Sequence, residues 1–119
     1  MPETSAASPV LTTETKLYPA EAVALVVCHG RLVAGADDGL YTTVRALIPD
    51  NKRIILDLSD LHHTDSRGLG TLVRLYVAAK SAGASLELMH LSKQIRHLLG
   101  LTNLFDVFTV IGGNGVKFL

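Results

Sequence analysis

"RIILDLSDLHHTDSRGLGTLVRLYVAAKSAG", residues Arg53 to Gly83, decides the fold. Its first six residues, Arg53 to Leu58, make a short continuous apolar run of the type buried on both faces of a parallel sheet. Further along, Leu69, Leu72, Val73 and Tyr76 recur at i, i+3, i+4 and i+7, one face of a helix, and Gly83 supplies the left-handed residue that stops it. Burying those four side chains is worth roughly 6–12 kcal/mol gross, before the entropy of ordering the chain is set against it. A buried strand feeding an amphipathic helix is the start of a right-handed parallel crossover.

Toward the N-terminus, Leu40, Val44, Leu47 and Ile48 share a helical face that Pro49 ends, and Asp37 and Asp38 stand where the unpaired amides and positive dipole of that helix would meet them. Val10 to Leu17, a turn at Tyr18-Pro19-Ala20-Glu21 and the apolar run Ala22 to Cys28 read as a β-hairpin, and Gly30 and Gly35 flank the loop that follows. Toward the C-terminus, Leu86 to Leu91 reads as a strand. Ser92 caps a short helix that turns Ile95, Leu98 and Leu99 inward and ends at Gly100, and Val107 to Ile111 reads as a last strand. "GGNGVKFL" has room for one weak helical turn at most. The alternation predicts an α/β domain with helices covering at least one face of the sheet. Residues 1–9, small and polar, read as a disordered tail, and residues 10–119 as one domain.

The chain has 119 residues, 48% hydrophobic and 18% charged, enough for one core and too few for two. Its 11 basic and 11 acidic residues cancel, which argues against nucleic-acid binding and polybasic membrane attachment. Residues 1–60 hold 5 basic and 8 acidic groups and residues 61–119 hold 6 and 3, a split read first as solvated helix faces and second as a surface complementary to an acidic partner. A single cysteine, Cys28, forms no internal disulfide and fits a cytoplasmic protein. The longest apolar run, Ala22 to Cys28, falls far short of the roughly 20 residues that span a bilayer. "MPETSAASPV" has no feature of a signal peptide.

The candidate site is "HHTDSRGLG", His62 to Gly70, at the junction between the central strand and its helix, where open α/β sheets place function. In one reading Asp65 or Ser66 is an N-cap, and Gly68 and Gly70 allow the first turn to pack closely. In the other, two glycines that cost roughly 1 kcal/mol each against alanine are there because something approaches this backbone from outside. Glycine leaves the Ser66 hydroxyl uncovered, open to a kinase. A phosphate there adds about −1.5 to −2 charge, tolerated at a helix N-terminus. Buried beside Asp65 against a partner, it would cost several kcal/mol, roughly a hundredfold or more in affinity.

The string from Arg53 to Val110, with its strand ending in "LDLS", then "DSRGLG", a helix ending in "AG", a further strand and "LL" before "LFDVF", resembles a STAS domain, the module of bacterial anti-sigma factor antagonists that also occurs in sulfate transporters. "VVCHGRLVAG", Val26 to Gly35, is similar to that family's second strand and the loop after it. The resemblance implies a four-to-five-stranded mixed sheet with helices mainly on one face, and no enzymatic activity and no cofactor. It also implies that Ser66 is phosphorylated by a partner that is both serine kinase and anti-sigma factor. The unphosphorylated form would bind that partner and free the sigma factor, and a phosphatase would reset it. Asp65, Arg67, Gly68, Leu69 and Gly70 would form the docking surface with Gly30, Arg31, Leu32 and Val33, and Asp57 would be the acid ending the central strand. Val33 stands where an acid is frequent in the family, and Thr64 where a large apolar residue is common. Arg67 could pair with the phosphate, with an acid on the kinase, or with solvent alone.

The alternatives are a constitutive STAS-type subunit of a transporter or signalling assembly, and a small hydrolase or ligand-binding domain using the "HHTDS" cluster. On an extended segment His62 and His63 point to opposite sides, which disfavours one metal ion between them, and "DSRG" lacks the "GxSxG" frame of a nucleophile elbow. His29, His90 and His97 are scattered. No long apolar surface is left over, so a monomer that forms a heterodimer is expected.

Overall fold

In the computed structural model residues 10–111 are described. The hairpin forms: β1 (Leu11–Tyr18) pairs antiparallel with β2 (Val23–Leu32) across a single 3-10 turn, Pro19–Glu21, closed by Ala22 in the left-handed region. Then come α1 (Asp37–Leu47), a 3-10 turn at Ile48–Asp50 containing Pro49, β3 (Arg53–Thr64), α2 (Ser66–Ser81), β4 (Ser85–Met89), α3 (Lys93–Leu101) and β5 (Thr109–Ile111). Among the described residues the sheet has five strands in the order β1-β2-β3-β4-β5, and each described pairing after the hairpin is parallel. The expected tail, residues 1–9, and the weak turn in "GGNGVKFL" lie outside the described residues.

Both central strands outrun their sequence reading. The expected end of β3 at Leu58 is wrong by six residues, and the expected loop from Gly30 is strand as far as Leu32. The cause is a change of period. Val27 pairs with Asp57 but His29 with Asp60, and Gly30 pairs with Leu61 but Arg31 with His63, so β3 carries one extra residue at each of two bulges. Its inward side chains therefore run Ile54, Leu56, Leu58 and then Leu61 and Thr64, an interval of three that alternation cannot reveal. Between the bulges His29 sits between two carboxylates, with Nδ1 2.6 Å from Asp60 and Nε2 3.0 Å from Glu14, so β1, β2 and β3 are tied at this end. The Asp60 bond leads the effects that raise the His29 pKa above its usual value.

Alternation splits the sheet into two faces. Ala24, Val26 and Cys28, Ile54, Leu56 and Leu58, and Leu86 and Leu88 meet the helices in one core. Val23, Leu25, Ile55 and Met89 make a small cluster on the opposite face. The bidentate Arg53–Glu87 pair, 2.7 and 2.8 Å, joins the starts of β3 and β4. Burial pushes the Cys28 thiol up to about 12, so it behaves as a small apolar side chain.

The buried seam of α2 is rotated from the expected one: Leu69 and Leu72 are joined by Leu75 and Ala79, while Val73 and Tyr76 lie half-buried on its flank. Tyr76 stays there because its ring meets Phe108 edge to face at 5.7 Å. Gly83, φ +79°, ends the turn after α2 as expected. Ser92 caps α3 by accepting from the Ile95 amide at 3.2 Å, but Gly100 does not end that helix. Asn103, φ 60°, takes the left-handed position instead. β4 stops two residues early, at Met89, where His90 turns to φ 59°, and β5 starts two residues late.

Leu75 and Val77 separate the two faces of α2 experimentally. Leu75→Ala should destabilise the chain by about 2–5 kcal/mol, whereas Val77→Ala, at a side chain 54% exposed, should stay within about 0.5 kcal/mol. Urea unfolding followed by far-UV circular dichroism measures both.

Candidate functional site

The two bulges deliver the ends of β2 and β3 side by side, with Leu32 paired to Thr64. Thr64 is 2% exposed, and its hydroxyl donates to the Leu32 carbonyl at 2.6 Å. A large apolar residue could not make that bond. The Asp65 amide donates to the same carbonyl at 3.4 Å, and the first turn of α2 lies directly over it. A Cβ on Gly68 would collide with the Leu32 carbonyl and the Thr64 hydroxyl, so Gly68 is required by internal packing. Gly70 differs. A Cβ there meets nothing within 4 Å, and the residue is exposed.

Asp65 is the N-cap. One carboxylate oxygen accepts from the Gly68 amide at 2.9 Å, and the other reaches across to the Ala34 amide at 3.0 Å in the β2–α1 loop. Those bonds, the Ala34 amide first and the Gly68 amide next, hold its carboxyl below the usual carboxylate range. One side chain thus starts the helix and fixes the neighbouring loop. The expected capping by Asp65 is thus present, and the same carboxylate ties the loop to the helix start.

Ser66 takes the first position of α2 and is exposed, and no described residue hydrogen-bonds its hydroxyl. Arg67 is more than a solvated side chain. Its Nε donates to Asp37 Oδ2 at 3.3 Å, while 62% of the side chain stays exposed. Asp37, expected to meet the free amides of α1, is itself 2% exposed. It accepts from the Gly35 amide at 3.1 Å and lies 3.4 Å from the Thr71 hydroxyl. Burial would raise the Asp37 carboxyl, but the Arg67 charge, its own backbone amide and the Gly35 amide outweigh burial and lower it. Sequence reading missed this contact between α1 and α2. A polar residue, Thr71, on the inward face of α2 was the available signal.

Of the expected docking residues, Arg67 and Gly70 are exposed beside Ser66 and Asp65 is half-buried there, Arg31 is exposed on β2 opposite His63, and Val33 is half-buried in the loop that Asp65 holds. Leu32, Leu69 and Gly68 are corrections. Leu32 and Leu69 are core side chains, and the room above Gly68 is filled from inside. Gly30, φ +106°, is half-buried where a Cβ would strike the Val10 carbonyl, so it serves the hairpin. Asp57 does not end β3. It lies mid-strand with the Ser59 amide at 3.0 Å and His90 Nδ1 at 3.1 Å, and these bonds outweigh the upward push of burial to leave its carboxyl below the usual range. His62 Nε2 lies 3.2 Å from Asp60 Oδ1, and no three His, Cys, Asp or Glu among the described residues are arranged to hold a metal ion. No described helix is long and apolar enough to cross a membrane.

A mixed sheet with parallel crossovers thus carries an exposed serine on the first turn after its central strand, at the carboxyl ends of the strands. Comparison with known proteins places it. The STAS domain family model matches residues 15–113, and the chain belongs to that family. Among solved structures, a putative anti-sigma factor antagonist from Thermotoga maritima is 21% identical with a TM-score of 0.76, the match covering 86% of this chain and 87% of that one. An anti-sigma factor antagonist from Mycobacterium paratuberculosis is 20% identical, TM-score 0.74, covering 87% of each chain. A sulfate transporter family protein from Wolinella succinogenes is 19% identical, TM-score 0.69, covering 80% of each.

The two glycines should respond oppositely. Gly68→Ala is expected to destabilise by about 1–3 kcal/mol through overpacking, and Gly70→Ala to stabilise by about 0.4–1 kcal/mol through backbone entropy, both read by urea unfolding. The Asp65 carboxyl titrates lower in the folded chain than in the unfolded one. Its contribution is therefore present above its unfolded pKa, near 3.9, and is lost as pH falls through the folded value. Asp65→Ala should flatten the acid limb of a stability–pH curve measured from pH 7 to pH 2.

Proposed function

We propose that the chain is a phosphorylation-controlled anti-sigma factor antagonist, with Ser66 as acceptor. It binds a serine kinase that is also an anti-sigma factor while Ser66 is unmodified, and so releases the sigma factor. The supporting observation is the contrast at one helix start: Asp65, Thr64 and Gly68 are each locked into the fold, and Ser66 between them is exposed with its hydroxyl free of described partners. In the transfer, Ser66 Oγ bonds to the γ-phosphorus of ATP, the bond from that phosphorus to the β,γ-bridging oxygen breaks, ADP leaves, and the hydroxyl proton passes to a base on the kinase. A phosphatase reverses the state by transferring the phosphoryl group to water.

The docking surface is Ser66, Arg67 and Gly70 on α2 with Arg31 and the loop residue Val33. Gly70 favours an outside approach, because the propensity it gives up is matched by no internal contact. Modification changes charge at this surface and leaves the Asp65 and Thr64 bonds that hold the helix start in place, so the fold persists and the complex does not. A second reading, a constitutive binding subunit, draws on the likeness to a sulfate transporter family protein.

Titration calorimetry with the partner kinase distinguishes the two. Ser66→Ala should bind and resist release by ATP, and Ser66→Glu should bind roughly a hundredfold more weakly. Equal binding by both variants, within a few-fold, favours the constitutive subunit.

A further inference from the structure

Two neighbouring amides of the β2–α1 loop are held by two different acids. The Ala34 amide is held by Asp65, and the Gly35 amide by Asp37. Asp65 draws on backbone donors alone, whereas the buried carboxylate of Asp37 has Arg67 as its cation. That cation is one residue from Ser66. Its Nε makes a 3.3 Å bond to Asp37, and no described residue bonds its two terminal nitrogens. A phosphomonoester offers three strong acceptor oxygens and about −1.5 to −2 charge. Against a single carboxylate already 3.3 Å from Nε, it is the stronger partner for a guanidinium fork.

Resting on the reading of Ser66 as acceptor, we propose that Arg67 is the coupling residue of the switch: it turns from Asp37 to the phosphate on Ser66, and the β2–α1 loop loosens at Gly35. Deprived of its cation, a buried carboxylate is poorly solvated and must rearrange or draw water. The Gly35 bond is part of that rearrangement. Ala34 is spared because Asp65 does not depend on Arg67. Phosphorylation then alters two parts of the docking surface together, the charge on α2 and the shape of the loop beside it.

The test uses the full chain with phosphoserine installed at position 66 during translation, and reads backbone amide exchange by NMR at pH 7. Phosphorylation should speed exchange at Gly35 by about tenfold and leave Ala34 within about twofold. The Arg67 Nε–H resonance should shift as its acceptor changes. In Arg67→Gln, Gly35 should exchange fast before modification, and the phosphate should add less than about twofold. Asp37→Asn keeps an oxygen for the Gly35 amide but needs no cation, so phosphate should leave its Gly35 exchange unchanged; this variant also serves if Arg67→Gln fails to fold. The proposal is overturned if Gly35 ignores the phosphate in the natural sequence, or if it accelerates equally in Arg67→Gln. Because the phosphate is placed without a kinase, failure of the coupling is distinct from failure of the antagonist reading, which would show as no effect of Ser66 on partner binding.

Discussion

The Leu32 carbonyl is the point on which this structure turns. It accepts the Thr64 hydroxyl and the Asp65 amide, and it lies beneath Gly68 closely enough to forbid a side chain there. Two bulges bring β3 to it, since without the two extra residues Thr64 would not stand opposite Leu32. A buried polar threonine is tolerated because its donor is satisfied. From this contact follow the entry angle of α2, the position of its cap and the height at which Ser66 leaves the surface.

Around that carbonyl, rigid and responsive parts are separated residue by residue. Asp65 is fixed by backbone donors on two segments, and nothing done to Ser66 removes them. Arg67 and Asp37 form a pair of unequal burial, one end in solvent and the other in the core. Such a pair transmits: a charge placed outside is felt by a group inside, along a path of one side chain. On the proposed reading, the surface combines a frame that survives modification with a single ionic contact that does not.

The sequence states the fold where its periods are regular. Arg53 to Leu58, the amphipathic stretch of α1, Ser92 and Gly83 all carry local signals that tertiary packing then respects. It hides what depends on two strands at once. The polar run "SDLHHT" resembles a loop because bulges break its alternation, and only pairing with His29 to Leu32 makes it strand. Tyr76 fits the helical stripe as well as Leu75 does, and the arrival of Phe108 decides between them. The candidate site was legible as a place, since Asp65, Ser66 and Gly68 sit together in the chain. Asp37 is 30 residues from Arg67, so no local pattern joins them. Leu32 and Leu69 were misplaced at the surface because a motif gives proximity to a site, and burial is settled by the neighbouring strand.

Among the described residues, the order of strands in the sheet is their order in the chain. Each new strand therefore docks on the one made just before it, and none has to wait for a distant segment to insert between two others. Loop-closure entropy is met in small, successive steps, each the length of one crossover. For a sheet that is parallel beyond its hairpin, normally a slow topology, no described pairing reaches past the neighbouring strand in the chain. A chain emerging from the ribosome could lay down its hairpin, then β3 against it, and so assemble the bulged junction beneath Ser66 before β5 is synthesised.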